Sequence, residues 1–133
     1  PAALRILERL NPAFPYKLQT VFQKDSLDIN ANDRATLRSA CETAASARIV
    51  ITHGTDTLLQ SAAALDGIPG KVIVLTGAMR PERFTHSDAP INLGVAIGAV
   101  QCLPPGVYVA MHGQILPWQT CSRDPETGQF GRK

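Results

Sequence analysis

Three short runs rich in β-branched residues, Arg48 to Thr52 (RIVIT), Lys71 to Thr76 (KVIVLT) and Gly106 to Met111 (GVYVAM), recur with helix-forming segments between them. Continuous runs of this kind read as strands buried on both faces, and such burial needs helices above and below the sheet. Between the runs, Thr55 to Leu65 sets Leu58, Leu59, Ala62 and Leu65 on one helical face, and Ile91 to Gln101 repeats the pattern. Ahead of the first run, Asn32 to Ala47 opens on Asn and Asp as cap candidates and continues through good helix formers. Ala2 to Leu10 spaces Leu4, Ile6, Leu7 and Leu10 as a helix would, until Asn11-Pro12 stops it. Lys17 to Phe22 alternates Leu18, Thr20 and Phe22 and is a further strand candidate. Strands alternating with helices pair in parallel through right-handed crossovers, which predicts a three-layer α/β sandwich with a mainly parallel, flavodoxin-like sheet. No repeat or linker interrupts it, so residues 1–133 read as one domain.

Composition narrows the class. Thirteen Lys and Arg against eleven Asp and Glu leave a formal charge of +2, with the basic residues scattered, so no nucleic-acid footprint is present. Apolar stretches break well short of the roughly twenty residues that span a bilayer, which argues against a membrane role. Cys41, Cys102 and Cys121 are odd in number and form no CxxC pair, favouring reduced thiols over a disulfide framework or zinc knuckle. With no charged stretch and apolar core in Pro1 to Arg9, a cytoplasmic protein is expected.

In parallel sheets, ligands sit beyond the carboxyl ends of the strands. The segments there are Gln23 to Asp28, His53 to Thr57, Gly77 to Asp88 and His112 to Arg123. The densest polar cluster is His53-Gly54-Thr55-Asp56-Thr57, after a strand and at a helix start. Gly54 permits a tight turn, and the following N–H groups with the helix dipole suit an anion. Thr55 or Asp56 as a helix cap is the plain structural alternative, but a cap needs one such residue and this turn has four polar ones. A hydroxyl beside a carboxylate suits activation of a nucleophile or water. His53, His86 and His112 all fall at this edge but lack local ligand spacing, so no metal is expected. Asp88 and Asn92 read as a cap and a loop anchor, Arg80 and Arg83 as partners of an acid or a subunit surface, Trp118 and Phe130 as subunit contacts, and Cys102 and Cys121 as inert.

Ile49 to Thr57 (IVITHGTDT), Val72 to Pro81 (VIVLTGAMRP) and Ser87 to Leu93 (SDAPINL) closely resemble the amino-terminal domain of the bacterial-type L-asparaginase and glutaminase family. Lys24 to Asp28 (KDSLD) resembles its substrate-binding Ser loop, and Gly106 to Phe130 its later strand and following segment. The length and the KDSLD, ITHGTDT and ETGQF wording are similar to short, single-domain asparaginase-like proteins. The resemblance implies an amidohydrolase that cleaves the side-chain amide of asparagine through a Thr nucleophile, with no metal or organic cofactor, in a homodimer or homotetramer. It makes Thr55 the second catalytic threonine, working with Asp56 and a basic residue; Asp56 also binds the substrate α-amino group and Ser26 the α-carboxylate. Backbone groups around Gly54 and Ala78 are expected near the amide oxygen.

The chain departs from the family pattern at three places. No TGGTI-type nucleophile turn occurs in it, and a sheet that opens on a helix is one strand short. Both point to an amino-terminal strand and loop upstream of Pro1. Arg123 stands at the position of the family's Lys; Arg stays charged and offers only electrostatic help. His112 stands where relatives have Asn. The alternative reading is a weak or inactive homologue that binds an amino acid. A nucleotide-binding module ranks below both, since no Gly-rich phosphate loop follows a strand.

Overall fold

The computed structural model describes residues 2–133. Helix α1 (Ala2–Leu10) precedes a segment without regular structure and a short 3-10 turn at Ser26–Asp28. Then follow α2 (Ala31–Thr43), β1 (Arg48–Thr52), α3 (Leu58–Ala64), β2 (Val72–Thr76), α4 (Ala89–Val100) and β3 (Gly106–Met111). Strand β4 (Gln114–Pro117) returns as a hairpin, and β5 (Cys121–Arg123) pairs with β6 (Phe130–Arg132). The main sheet has the order β1-β2-β3-β4, with β1, β2 and β3 parallel and β4 antiparallel. The fold is α/β with a mainly parallel sheet, as the sequence predicts.

The period of two along the strands divides the core between two layers. Ile73 and Leu75 of β2, with Val107, Val109 and Met111 of β3, pack against α2 and α3 through Leu37, Cys41, Leu58 and Ala62. Val72 and Val74, with Ala110 on β3, face Ala96 and Val100 of α4. Helix α1 lies on the α4 side. Every residue of β2 is buried, the burial that a continuous apolar run implies. RIVIT differs. Among the described strands β1 pairs only with β2, so its ends are exposed and its middle half-buried.

Other expectations are corrected. Lys17 to Phe22 forms no strand among the described residues; Leu18 is exposed, and only Val21 and Phe22 reach the core. Its alternation is real, but no neighbouring backbone pairs with it, and alternation without a partner does not make a sheet. Helix α2 starts one residue before the predicted Asn32 because Asn30 is the cap. Its side chain accepts from the Asp33 N–H while Asp33 accepts from the Asn30 N–H, a capping box. It ends at Thr43 rather than Ala47. Helix α3 begins at Leu58, after the polar turn rather than within it. The β4 hairpin and the β5–β6 ribbon, both of very short strands, lie outside the sequence expectation. Phe130 is buried in the core of that region rather than at a surface, and Trp118 packs beside it while donating Nε1–H to Asp66 at 3.2 Å.

Candidate active site

The carboxyl ends of β1 and β2 bring the polar turn and the loop after β2 together. The Thr76 carbonyl accepts the His53 N–H at 2.9 Å, joining the two strand ends. The next residues approach so closely that glycine is required. A Cβ on Gly77 would collide with the His53 carbonyl oxygen, and one on Gly54 would fall 2.5 Å from Ser26 Cβ. A cleft of about 350 Å³ opens there, lined by Ile6, Thr52, Gly54, Thr76, Gly77 and Ala78 among others. Gly54 and Ala78 thus share one cavity. Thr55, Asp56 and Ser26 do not line it, and Arg123 lines a separate depression of about 560 Å³ with Ser122 and Asp124.

Thr55 is half-buried, its methyl 3.2 Å from the position a Cβ on Gly77 would take. Asp56 reaches across to the β5–β6 ribbon, where Arg123 Nη2 donates to its Oδ1 at 3.2 Å. Both partners are partly exposed, so the pair itself contributes at most about 1 kcal/mol of stability. Arg123 is held by the Asp124 turn, whose carboxylate accepts from the Glu126 N–H and Thr127 N–H. Gly128, at φ 77°, leaves room for the guanidinium: a Cβ would sit 3.2 Å from Arg123 Nη2. Arg123 Nε is buried and has no hydrogen-bond partner among the described residues.

Ser26 is almost fully buried, and its hydroxyl is engaged by Thr57. The Thr57 N–H donates to Ser26 Oγ at 2.7 Å, and Thr57 Oγ1 donates to the Ser26 carbonyl at 2.7 Å. The 2.8 Å contact between the two hydroxyls is therefore donated by Ser26. This tether also takes one of the turn's N–H groups. The turn ends before α3 begins, Thr57 makes no side-chain cap bond, and its N–H is already taken by Ser26. Neither Thr55 nor Asp56 caps the helix.

The loop after β2 is anchored by two carboxylates, Glu82, which pairs with Arg5 of α1, and Asp88. Asp88 accepts from the Met79 N–H, the Arg80 N–H and Asn92 Nδ2, each at 2.9 Å, and Asn92 also donates to the Gly77 carbonyl. Burial opposes ionisation of Asp88, but these donors outweigh it and hold its pKa below the usual carboxyl value. The anchor role predicted for Asp88 and Asn92 is what the geometry shows; Asp88 makes no side-chain cap bond. Arg80 and Arg83 lie over the Phe84 ring, at 5.5 and 4.7 Å, and neither pairs with an acid among the described residues. His53, half-buried, is bound by Ser61 and the Gly54 carbonyl. Burial raises the pKa of Cys41 and Cys121, which keeps both as unreactive thiols. Sequence reasoning misses Gly77 and Gly128. A glycine directly after a buried strand is the signal for the first; nothing local marks the second.

The fold and this edge define an α/β domain whose working loops meet at the carboxyl ends of parallel strands. The family model described as "Asparaginase, N-terminal" matches residues 2–124, and the chain belongs to that family. It is 45% identical over 71 residues, 51% of the chain, to "L-asparaginase" of Thermococcus kodakarensis, covering 22% of that protein. It is 48% identical over 69 residues, half of the chain, to a glutamyl-tRNA(Gln) amidotransferase subunit of Methanococcus vannielii, covering 16% of that protein. The solved structure of "The thermostable L-asparaginase from Thermococcus kodakarensis" superposes with a TM-score of 0.88 at 32% identity, over 98% of this chain and 43% of that one. The chain thus spans less than half of the relatives it matches. No helix among the described residues is long and apolar enough to cross a membrane.

Proposed function

We propose that residues 1–133 act as one amino-terminal-type α/β domain of an asparaginase-type amidohydrolase. It would hydrolyse the side-chain amide of L-asparagine to aspartate and ammonia through a Thr nucleophile. The observation that carries this reading is the Asp56–Arg123 pair at 3.2 Å, which ties the THGTDT turn to a segment far along the chain. In this reading Thr55 is the second catalytic threonine and Asp56 handles the proton and holds the substrate α-amino group. Arg123 cannot give up its proton, so it acts by charge, fixing Asp56 and offsetting negative charge as the amide is attacked. Backbone donors around Gly54 and Ala78 stabilise the developing oxyanion. Ser26 takes the α-carboxylate, which requires its hydroxyl hydrogen to turn from Thr57 Oγ1 to the ligand. No cofactor takes part, and the protein works in the cytoplasm as a homodimer or homotetramer.

Ammonia release from L-asparagine by protein expressed from its full reading frame tests the proposal. Thr55→Ala should lower kcat by about 100-fold or more; a variant with full activity refutes it. The second reading, an amino-acid-binding homologue with little turnover, is favoured by the permanently charged Arg123. A melting temperature raised by L-aspartate without ammonia release would select it.

A further inference from the structure

Beneath the polar turn runs a chain of side chains that the proposed reaction does not use. Arg34 Nε donates to Ser61 Oγ at 3.1 Å, Ser61 Oγ lies 2.7 Å from His53 Nε2, and His53 Nδ1 lies 2.6 Å from the Gly54 carbonyl oxygen. Arg34 comes from α2, Ser61 from α3 and His53 directly follows β1, so the chain ties two helices to the turn. Its proton positions follow from what each atom can do. A carbonyl oxygen only accepts, so Nδ1 carries the imidazole hydrogen, and in the neutral ring Nε2 must then accept. Ser61 therefore donates to His53 and accepts from Arg34, and each bond has one donor and one acceptor. Ser61 is fully buried, which leaves its hydroxyl no water to exchange with. Burial, helped by the nearby Arg34 charge, keeps the imidazole pKa below its usual value despite the Gly54 bond that favours the cation.

We propose that His53, aligned by Ser61 and Arg34, is a positioning residue that fixes the Gly54–Thr55 peptide and hence the direction of the Thr55 N–H. A trans peptide sets its N–H opposite its C=O, so holding the Gly54 carbonyl on Nδ1 turns the Thr55 N–H away from the imidazole. Backbone packing supports the same constraint: His53 N–H bonds Thr76, and its carbonyl lies against Gly77, where no side chain fits. A histidine kept only to satisfy the core would need no particular tautomer. This one has Gly54 on one nitrogen and Ser61 on the other, which admits a single arrangement. The functional value of the aligned N–H rests on the amidohydrolase reading; the alignment itself does not.

The test compares His53→Asn with His53→Gln. Asn places its amide nitrogen near the Nδ1 position and can still donate to Gly54, whereas Gln reaches toward Ser61 and leaves the carbonyl free. Long-range 1H–15N spectra of the imidazole should show the Nδ1–H tautomer at pH 7.5. The Thr55 amide resonance should stay near its native position in the Asn variant and move in the Gln variant. In ammonia-release assays the Gln variant should lose about tenfold more kcat than the Asn variant, with KM little changed in either. The Nε2–H tautomer, or equal displacement of the Thr55 resonance in both variants, overturns the proposal. If neither variant folds, the tautomer in the native protein decides. Since the spectra need no turnover, a protein that releases no ammonia would refute the amidohydrolase reading and leave this inference separately judged.

Discussion

The two loops that meet at the carboxyl edge are held in place by different means. The turn from His53 to Thr57 is fixed by close approach: Gly54 lies against Ser26, the His53 carbonyl lies against Gly77, and hydroxyls of Ser26 and Thr57 close the remaining gap. The loop from Gly77 to Asp88 is fixed by charge: the Asp88 carboxylate gathers two backbone N–H groups and Asn92, and Glu82 pairs with Arg5 of α1. Its side chains Met79 and Phe84 stand exposed. The first loop is therefore vulnerable to added volume and the second to loss of charge. A site assembled from both carries both sensitivities.

Adding volume should have the largest effect. Gly77→Ala should destabilise the fold by about 2–3 kcal/mol, with Gly54→Ala close behind, because a backbone or near-backbone atom must move in each case. Urea unfolding measures this, with Gly94→Ala as the control. Gly94 has open space around it in the middle of α4, and alanine there should stabilise by about 0.4–1 kcal/mol. Equal losses at all three positions would show that close approach is not what fixes the turn.

Removing the charge comes next. Asp88→Ala strands the Met79 and Arg80 N–H groups and should cost about 2 kcal/mol at pH 7. The pH dependence has a definite sign. The folded-state pKa of Asp88 is lowered below the ordinary 3.8, so between the two values the unfolded chain binds more protons. The stabilisation is complete above the ordinary value and is lost as pH falls through the folded one. Unfolding midpoints from pH 6 to pH 2 should therefore fall more steeply for the native protein than for Asp88→Ala; parallel curves would remove the carboxylate as anchor.

The smallest effect lies outside both loops. His112 has φ 56° in the two-residue turn between β3 and β4, beside Gly113 at φ 73°. Asn tolerates the left-handed region better than His does, so His112→Asn should raise stability by about 0.5 kcal/mol. A melting temperature that falls instead would point to a role for the exposed imidazole.

These contrasts also explain what can be read from the chain before it folds. VIVLT and GVYVAM announce their strands because burial on both faces leaves a continuous apolar run that local composition records. The polar turn is conspicuous because four of the five residues directly after an apolar run are polar. The Asp56–Arg123 contact follows from resemblance to a family and from nothing in the spacing, since its members lie 67 positions apart. The Arg34–Ser61–His53 chain gives no signal at all: a serine on a helix and a histidine after a strand are ordinary until folding brings them within hydrogen-bond distance. Lys17 to Phe22 shows the converse, a clean alternation whose outcome depends on whether another strand lies beside it.

The separation of Asp56 from Arg123 also bears on how the protein is made. At about 5–20 residues per second of synthesis, the 67 residues between them take several seconds to appear. During that interval β2 and β3 emerge and can pair with β1, but the Asp56 carboxylate has no guanidinium to meet. The ribosome delivers Arg123 only after β1, β2 and β3 have been made, so premature release would yield a chain able to pair these strands and unable to partner Asp56.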